Sequence, residues 1–172
     1  MVNQLSFNIT ILPIGESVVL SNLSCEQVGL KGNFYGEVNV ENTFKKNEEE
    51  IVIYSSIGYT THCICDCCNI PFDRKFLANY SLRVSSILEA TSREFDDELV
   101  VSPTTNFIDI TEGIKESILL TYPQKIVCKE ECAGLCQYCG KNLNEIKSHI
   151  CECHTNEVDP RFLKLKDLLS QK

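Results

Sequence analysis

The first half of the chain alternates. Leu5, Phe7, Ile9 and Ile11 are separated by mostly polar neighbours, a period of two that predicts a half-buried strand. Phe34 to Thr43 and Ile51 to Cys65 continue in runs rich in Ile, Val, Tyr and Thr, and Phe72, Arg74, Phe76, Leu82 and Val84 extend the pattern. Such β-branched and aromatic residues suit a pleated surface with one face covered. Between two of these runs lies Lys45-Lys46-Asn47-Glu48-Glu49-Glu50, whose polarity predicts a solvated hairpin connection. Several strands with no early helix predict an antiparallel meander.

The pattern then changes. Residues 92–106 contain the run Arg93-Glu94-Phe95-Asp96-Asp97-Glu98 and Pro103, and predict a solvated surface loop. From Asp109 to Tyr122, the residues Ile110, Ile114, Ile118 and Tyr122 fall on one helical face, with Asp109 as cap and Glu112 completing a capping box. Pro123 ends this helix, because the proline ring disfavours helical backbone in the residue before it. Asp159-Pro160 opens a last helix, with Phe162, Leu165, Leu168 and Leu169 as its apolar face. The expected class is α+β. Residues 1–123 form an antiparallel β meander or partly open barrel ending in a helix, and residues 124–172 form a cysteine-rich, zinc-binding tail with a terminal helix, packed on the first part.

Composition adds a charge asymmetry. The 172 residues are 43% hydrophobic, enough for a core, and carry 16 basic against 24 acidic side chains, a net −8. That balance argues against a broad basic grip on nucleic acid. Residues 1–123 hold 8 basic and 17 acidic side chains, whereas 124–172 hold 8 and 7. Only the tail could meet a phosphate backbone without repulsion, through Lys141, Lys147, Arg161, Lys164 and Lys166. Met1 to Leu20 has no positive start and no long apolar run, so neither a signal peptide nor a membrane span is expected. A cytoplasmic location is the expectation, and thiols stay reduced there.

The eleven cysteines then become candidate metal ligands rather than disulfides. Zinc takes four soft ligands at tetrahedral corners, and a CxxC turn supplies two sulfurs with N–H groups nearby to donate to them. Cys136-x2-Cys139 is flanked by Gly134 and Gly140, and with Cys151-x-Cys153 it makes one complete set. A second hook, Cys63-x-Cys65-x-Cys67-Cys68, contains the CxxC pair Cys65 and Cys68. Cys128 and Cys132 are left over, so counting pairs them with Cys65 and Cys68. Cys63 and Cys67 could substitute in that set, and His62, His149 or His154 could each replace a thiolate. Cys25 reads as a packed structural thiol. The expected cofactor is one zinc ion or two, with iron–sulfur ligation also open.

Catalytic signatures are missing from the sequence. It contains no HExxH, no HxE, no GxxxxGK[ST], no GxGxxG and no GxSxG. No enzyme activity, small-molecule substrate or membrane partner is therefore expected.

The stretch Ile108-Asp109-Ile110-Thr111-Glu112, then Tyr122-Pro123, Val127-Cys128, Cys132-Ala133-Gly134-Leu135-Cys136, Cys139-Gly140-Lys141-Asn142, Cys151-Glu152-Cys153 and Val158-Asp159-Pro160-Arg161-Phe162 resembles the YceD family. These are the large-ribosomal-RNA-accumulation proteins of bacteria and plastids, in the form with a C-terminal cysteine motif. Cys65-Asp66-Cys67-Cys68-Asn69-Ile70-Pro71-Phe72 resembles that family's strand-end CxxC. The resemblance implies a non-enzymatic role in large-subunit RNA accumulation or subunit assembly. Its implied partner is a large-subunit component: the RNA, a basic ribosomal protein or an assembly factor. Glu116, Asn142 and Arg161 match family positions and are the implied partner-binding residues, Arg161 because its cation opposes the dipole at a helix start. A metal-buffering or redox-sensing protein is the competing expectation.

Overall fold

The computed structural model describes residues 5–86, 95–102, 104–146 and 151. Its main element is an open five-stranded sheet in the order β2(Gly15–Ser24), β3(Phe34–Lys46), β4(Glu50–Ile64), β5(Pro71–Ser85), β6(Asp97–Val100). The first four strands form the antiparallel meander, and β6 joins β5 in parallel. The short strands β1(Ser6–Asn8) and β7(Phe107–Asp109) pair with each other in a separate two-stranded sheet. The helix α1 covers Thr111–Thr121. The last expected helix lies outside the described residues.

The chain divides into two compact units, Met1–Ile64 with Pro71–Ile126, and Cys65–Ile70 with Val127–Lys172. The first has an apolar core because the inward rows of its strands are apolar. Val38, Val40 and Phe44 of β3 meet Ile53, Ile57 and Tyr59 of β4, then Ala78, Tyr80, Leu82 and Val84 of β5, while α1 contributes Ile114 and Ile118. Each fully buried side chain of this size contributes about 1.5–3 kcal/mol. One polar pair interrupts the row, with the Ser55 hydroxyl donating to Asn42 Oδ1 at 2.7 Å across β3 and β4.

Three expectations need correction. The N-terminal alternation yields a strand only over Ser6–Asn8. The acidic run is not a free loop, since Asp97 begins β6. Its carboxylates anchor that edge: Tyr80 Oη donates to Asp97 Oδ2 at 2.9 Å, and the Ser81 N–H donates to Asp96 Oδ2 at 2.7 Å. Asp109 also does not cap α1 through a capping box. Its Oδ1 accepts the Thr111 N–H at 2.9 Å one residue ahead of the cap position, and Glu112 instead meets Lys115 at 2.8 Å. The hairpin between Lys46 and Glu50 forms as expected, with Asn47 Oδ1 accepting the N–H groups of Glu49 and Glu50.

Candidate metal centre

The second unit draws its first cysteines from the connection between β4 and β5. The backbone turns tightly there: the Asn69 N–H donates to the Cys65 carbonyl at 2.8 Å and the Cys65 N–H to the Ile70 carbonyl at 3.0 Å. This curl points both sulfurs of the CxxC pair to one side. Cys65 Sγ lies 3.8 Å from Cys132 Sγ, Cys68 Sγ lies 3.6 Å from Cys128 Sγ, and Cys128 and Cys132 are 3.7 Å apart. All four sulfurs lie within 4.8 Å of one another. A tetrahedron with metal–sulfur bonds of about 2.3 Å has edges of about 3.8 Å, so the cage fits one tetrahedral ion.

The second cage repeats the turn. The Gly140 N–H donates to the Cys136 carbonyl at 2.9 Å, the Cys136 N–H to the Lys141 carbonyl at 2.8 Å, and Leu135 bridges to Asn142 across the hairpin. Cys136, Cys139 and Cys151 come together within 4.8 Å. Cys153, expected as their fourth partner, lies outside the described residues.

Donors surround these sulfurs. Burial pushes the Cys65 thiol up, but the N–H groups of Cys128, Cys68 and Cys67 outweigh it and bring it down to about 6. The Cys128 N–H lies 3.3 Å from Cys65 Sγ. The N–H groups of Cys139 and Tyr138 bring Cys136 down to about 6. Asn144 Nδ2 donates to Cys132 Sγ at 3.3 Å and is the main reason that thiol lies below its ordinary value. Cys68, by contrast, is pushed up to about 12, chiefly by burial. Sulfurs this close cannot all carry charge alone, and a divalent cation among them removes the conflict.

The remaining expected residues fall elsewhere. Among the described residues neither Cys63 nor Cys67 belongs to a cage; Cys63 is buried, with Sγ 3.0 Å from Thr61 Oγ1. His62 Nδ1 lies 2.8 Å from Asp73 Oδ1 rather than among the sulfurs. Cys25 is buried. Glu116 is exposed on α1 and Lys141 is exposed in the second turn. The Asn142 side chain faces its own hairpin, where Oδ1 accepts from Asn144 and Nδ2 donates to Glu145 at 3.2 Å. Arg161, Lys147, Lys164, Lys166, His149 and His154 lie outside the described residues. Sequence reasoning missed Asn144, which neither its type nor its spacing distinguishes within the connection from Cys139 to Cys151.

The fold and cages together define a β-sheet protein with a cysteine unit that could hold metal ions. The chain belongs to the family described as Large ribosomal RNA subunit accumulation protein YceD, which it matches over residues 53–169. A protein of Arabidopsis thaliana named Large ribosomal RNA subunit accumulation protein YCED homolog 1, chloroplastic, is 32% identical over 78 residues, 45% of this chain and 23% of the relative. Its namesake in Zea mays is 37% identical over 65 residues, 38% of this chain and 22% of the relative. The Bacillus subtilis (strain 168) protein YlbN is 40% identical over 79 residues, 45% of this chain and 43% of the relative. The chain therefore spans less than half the length of each of these relatives. No solved structure matches it. No helix among the described residues is long and apolar enough to cross a membrane.

Proposed function

We propose that this protein is a non-enzymatic factor supporting large-subunit ribosomal RNA accumulation, with zinc ions holding its cysteine unit in shape. The observation that carries this reading is the extent of the family match, residues 53–169, which takes in every cage cysteine from Cys65 to Cys151. Zinc suits cages of thiolates alone, and the four sulfurs of the first cage would leave no open position there for substrate. A polynuclear iron–sulfur cluster would spread its thiolates over several irons, beyond the single tetrahedron edge seen between Cys68 and Cys128.

The acidic first 123 residues favour a basic large-subunit protein as the immediate partner over bare RNA, since opposite charge promotes encounter. Glu116, exposed on α1, is a residue that such a partner could reach. The site of action is the cytoplasm. The test is the ratio of large- to small-subunit ribosomal RNA in cells lacking the gene. A selective fall that the wild-type copy restores, and a Cys136→Ser/Cys139→Ser copy does not, supports the reading. An unchanged ratio overturns it.

The depressed Cys65 and Cys136 thiols favour one second reading, a redox or metal-buffering role. Rapid alkylation of these cysteines in the metal-loaded chain would select that reading, whereas protection would select the structural one.

A further inference from the structure

A side chain carried by the second hairpin reaches a sulfur of the first cage. Asn144 lies in the return arm of the second hairpin, where the Leu143 N–H donates to the Gly134 carbonyl at 2.9 Å. All of its amide is engaged. Oδ1 accepts the Ala133 N–H at 3.0 Å, and Nδ2 donates to Asn142 Oδ1 at 2.9 Å and to Cys132 Sγ at 3.3 Å. Asn142 in turn accepts the Asn144 N–H at 3.0 Å. A hairpin built around Cys136 and Cys139 thus holds a donor against a sulfur of the other cage.

Such a donor matters because it orients the ligand and stabilises the thiolate that a metal requires, and loss of such outer partners costs metal affinity. Its value depends on the hairpin standing in place. Without metal on Cys136 and Cys139 the turn loses an anchor, and the return arm must be ordered at an entropic cost before Nδ2 can reach Cys132.

We propose that Asn144 couples the two cages, so that metal held by Cys136, Cys139 and Cys151 tightens metal held by Cys65, Cys68, Cys128 and Cys132. The inference rests on the metal reading above. By linkage the effect is mutual. Asn144 is a positioning residue here, not itself a ligand.

The test is cobalt(II) titration of the full chain, read through thiolate-to-metal charge-transfer absorption. Cys136→Ser/Cys139→Ser and Cys65→Ser/Cys68→Ser variants assign the signal of each cage. Asn144→Ala is expected to weaken the first cage roughly 10–100-fold. The Cys136→Ser/Cys139→Ser change should weaken that cage too, and adding Asn144→Ala to it should cost little more. Fully additive losses, or a first cage indifferent to Asn144→Ala, overturn the proposal. Asn144→Asp keeps the shape and the acceptor for Ala133 but sets a carboxylate against the sulfur, so wild-type affinity in that variant also overturns it. A wild-type chain that binds no cobalt or zinc overturns the metal reading itself, which separates that failure from a chain whose two cages fill independently.

Discussion

Asn69 and Gly140 occupy the same position in two copies of one turn. Each donates its N–H to the carbonyl of the cysteine four residues earlier, at 2.8 Å and 2.9 Å, with φ of 56° and 68°. In each copy that cysteine's own N–H reaches the carbonyl five residues ahead, that of Ile70 or Lys141. The copies, Cys65-Asp66-Cys67-Cys68-Asn69-Ile70 and Cys136-Gln137-Tyr138-Cys139-Gly140-Lys141, share only their two cysteines. What repeats is therefore a backbone path, set by the need to aim two sulfurs and several N–H groups at one point.

That path is strained for most residues. A left-handed φ costs an L-residue about 1–2 kcal/mol, and Asn tolerates it better than Ala. Gly140→Ala should therefore weaken metal binding at the second cage by a factor of about 5–30, with Gly140→Asn less harmful and Asn69→Gly close to neutral. Competition with a chromogenic chelator reads the order. An Ala variant that binds as tightly as wild type would sink the backbone argument.

Gly113 on α1 exists to admit Tyr80. A Cβ built at Gly113 would collide with the Tyr80 ring, which is buried with its hydroxyl donating to Asp97. To yield, the ring would have to shift within the core and strain its bond to Asp97. Ala is the better helix former by about 1 kcal/mol, yet Gly113→Ala is expected to destabilise by about 1–3 kcal/mol through overpacking. Urea midpoints measure the balance, and adding Tyr80→Leu should recover part of the loss. A Gly113→Ala midpoint at or above wild type would show that propensity, not the contact, governs the position.

Much of this architecture is legible in the sequence, and the failures have physical causes. The strands β3, β4 and β5 announce themselves because their inward rows are apolar, and the two CxxC pairs because spacing alone dictates a turn. Strand β2 hides because its pattern is inverted: the inward row is Ser17, Val19, Ser21 and Leu23, whereas Val18 and Leu20 face outward, 53% and 74% exposed. Strand β6 hides because all four residues are exposed at an edge, and its acidic start anchors to Tyr80 and Ser81, which only the fold brings near. Counting paired Cys65 and Cys68 with Cys128 and Cys132, and the structure gathers those four sulfurs. It could not find Asn144, whose role depends on where a hairpin returns.

Cys63 and Cys67 stand outside the group of four sulfurs although they belong to the same hook as Cys65 and Cys68. Cys63 Sγ is buried between Thr61 Oγ1 at 3.0 Å and Tyr122 Oη at 3.8 Å. Cys63→Ala should leave the metal content equal to that of wild type while costing about 1 kcal/mol of stability, and Cys67→Ser should change neither. Cys65→Ser should lose an equivalent of metal relative to wild type. Elemental analysis of the purified variants decides, and a lost equivalent in Cys63→Ala or Cys67→Ser would redraw the first cage.

A last prediction concerns charge at the end of the sheet, where Tyr35, His62 and Asp73 stand on three successive strands. His62 Nδ1 lies 2.8 Å from Asp73 Oδ1. Hydrogen bonds from His62 first and Tyr35 second hold the Asp73 carboxyl below its ordinary value. The same contact raises Tyr35, because a phenol donating to a carboxylate gives up its proton less readily. The sign for stability follows from the lowered carboxyl: its contribution is present above the unfolded value of about 3.9, and is lost as pH falls through the lower folded value. Both residues are solvent-accessible, so spectroscopy is the better measure. Asp73→Asn should move the Tyr35 ionisation down towards about 10, read as the alkaline absorbance change that Tyr35→Phe removes. His62→Ala should raise the Asp73 titration instead. A Tyr35 ionisation that does not respond to Asp73→Asn would mean that the hydrogen bond between them does not form.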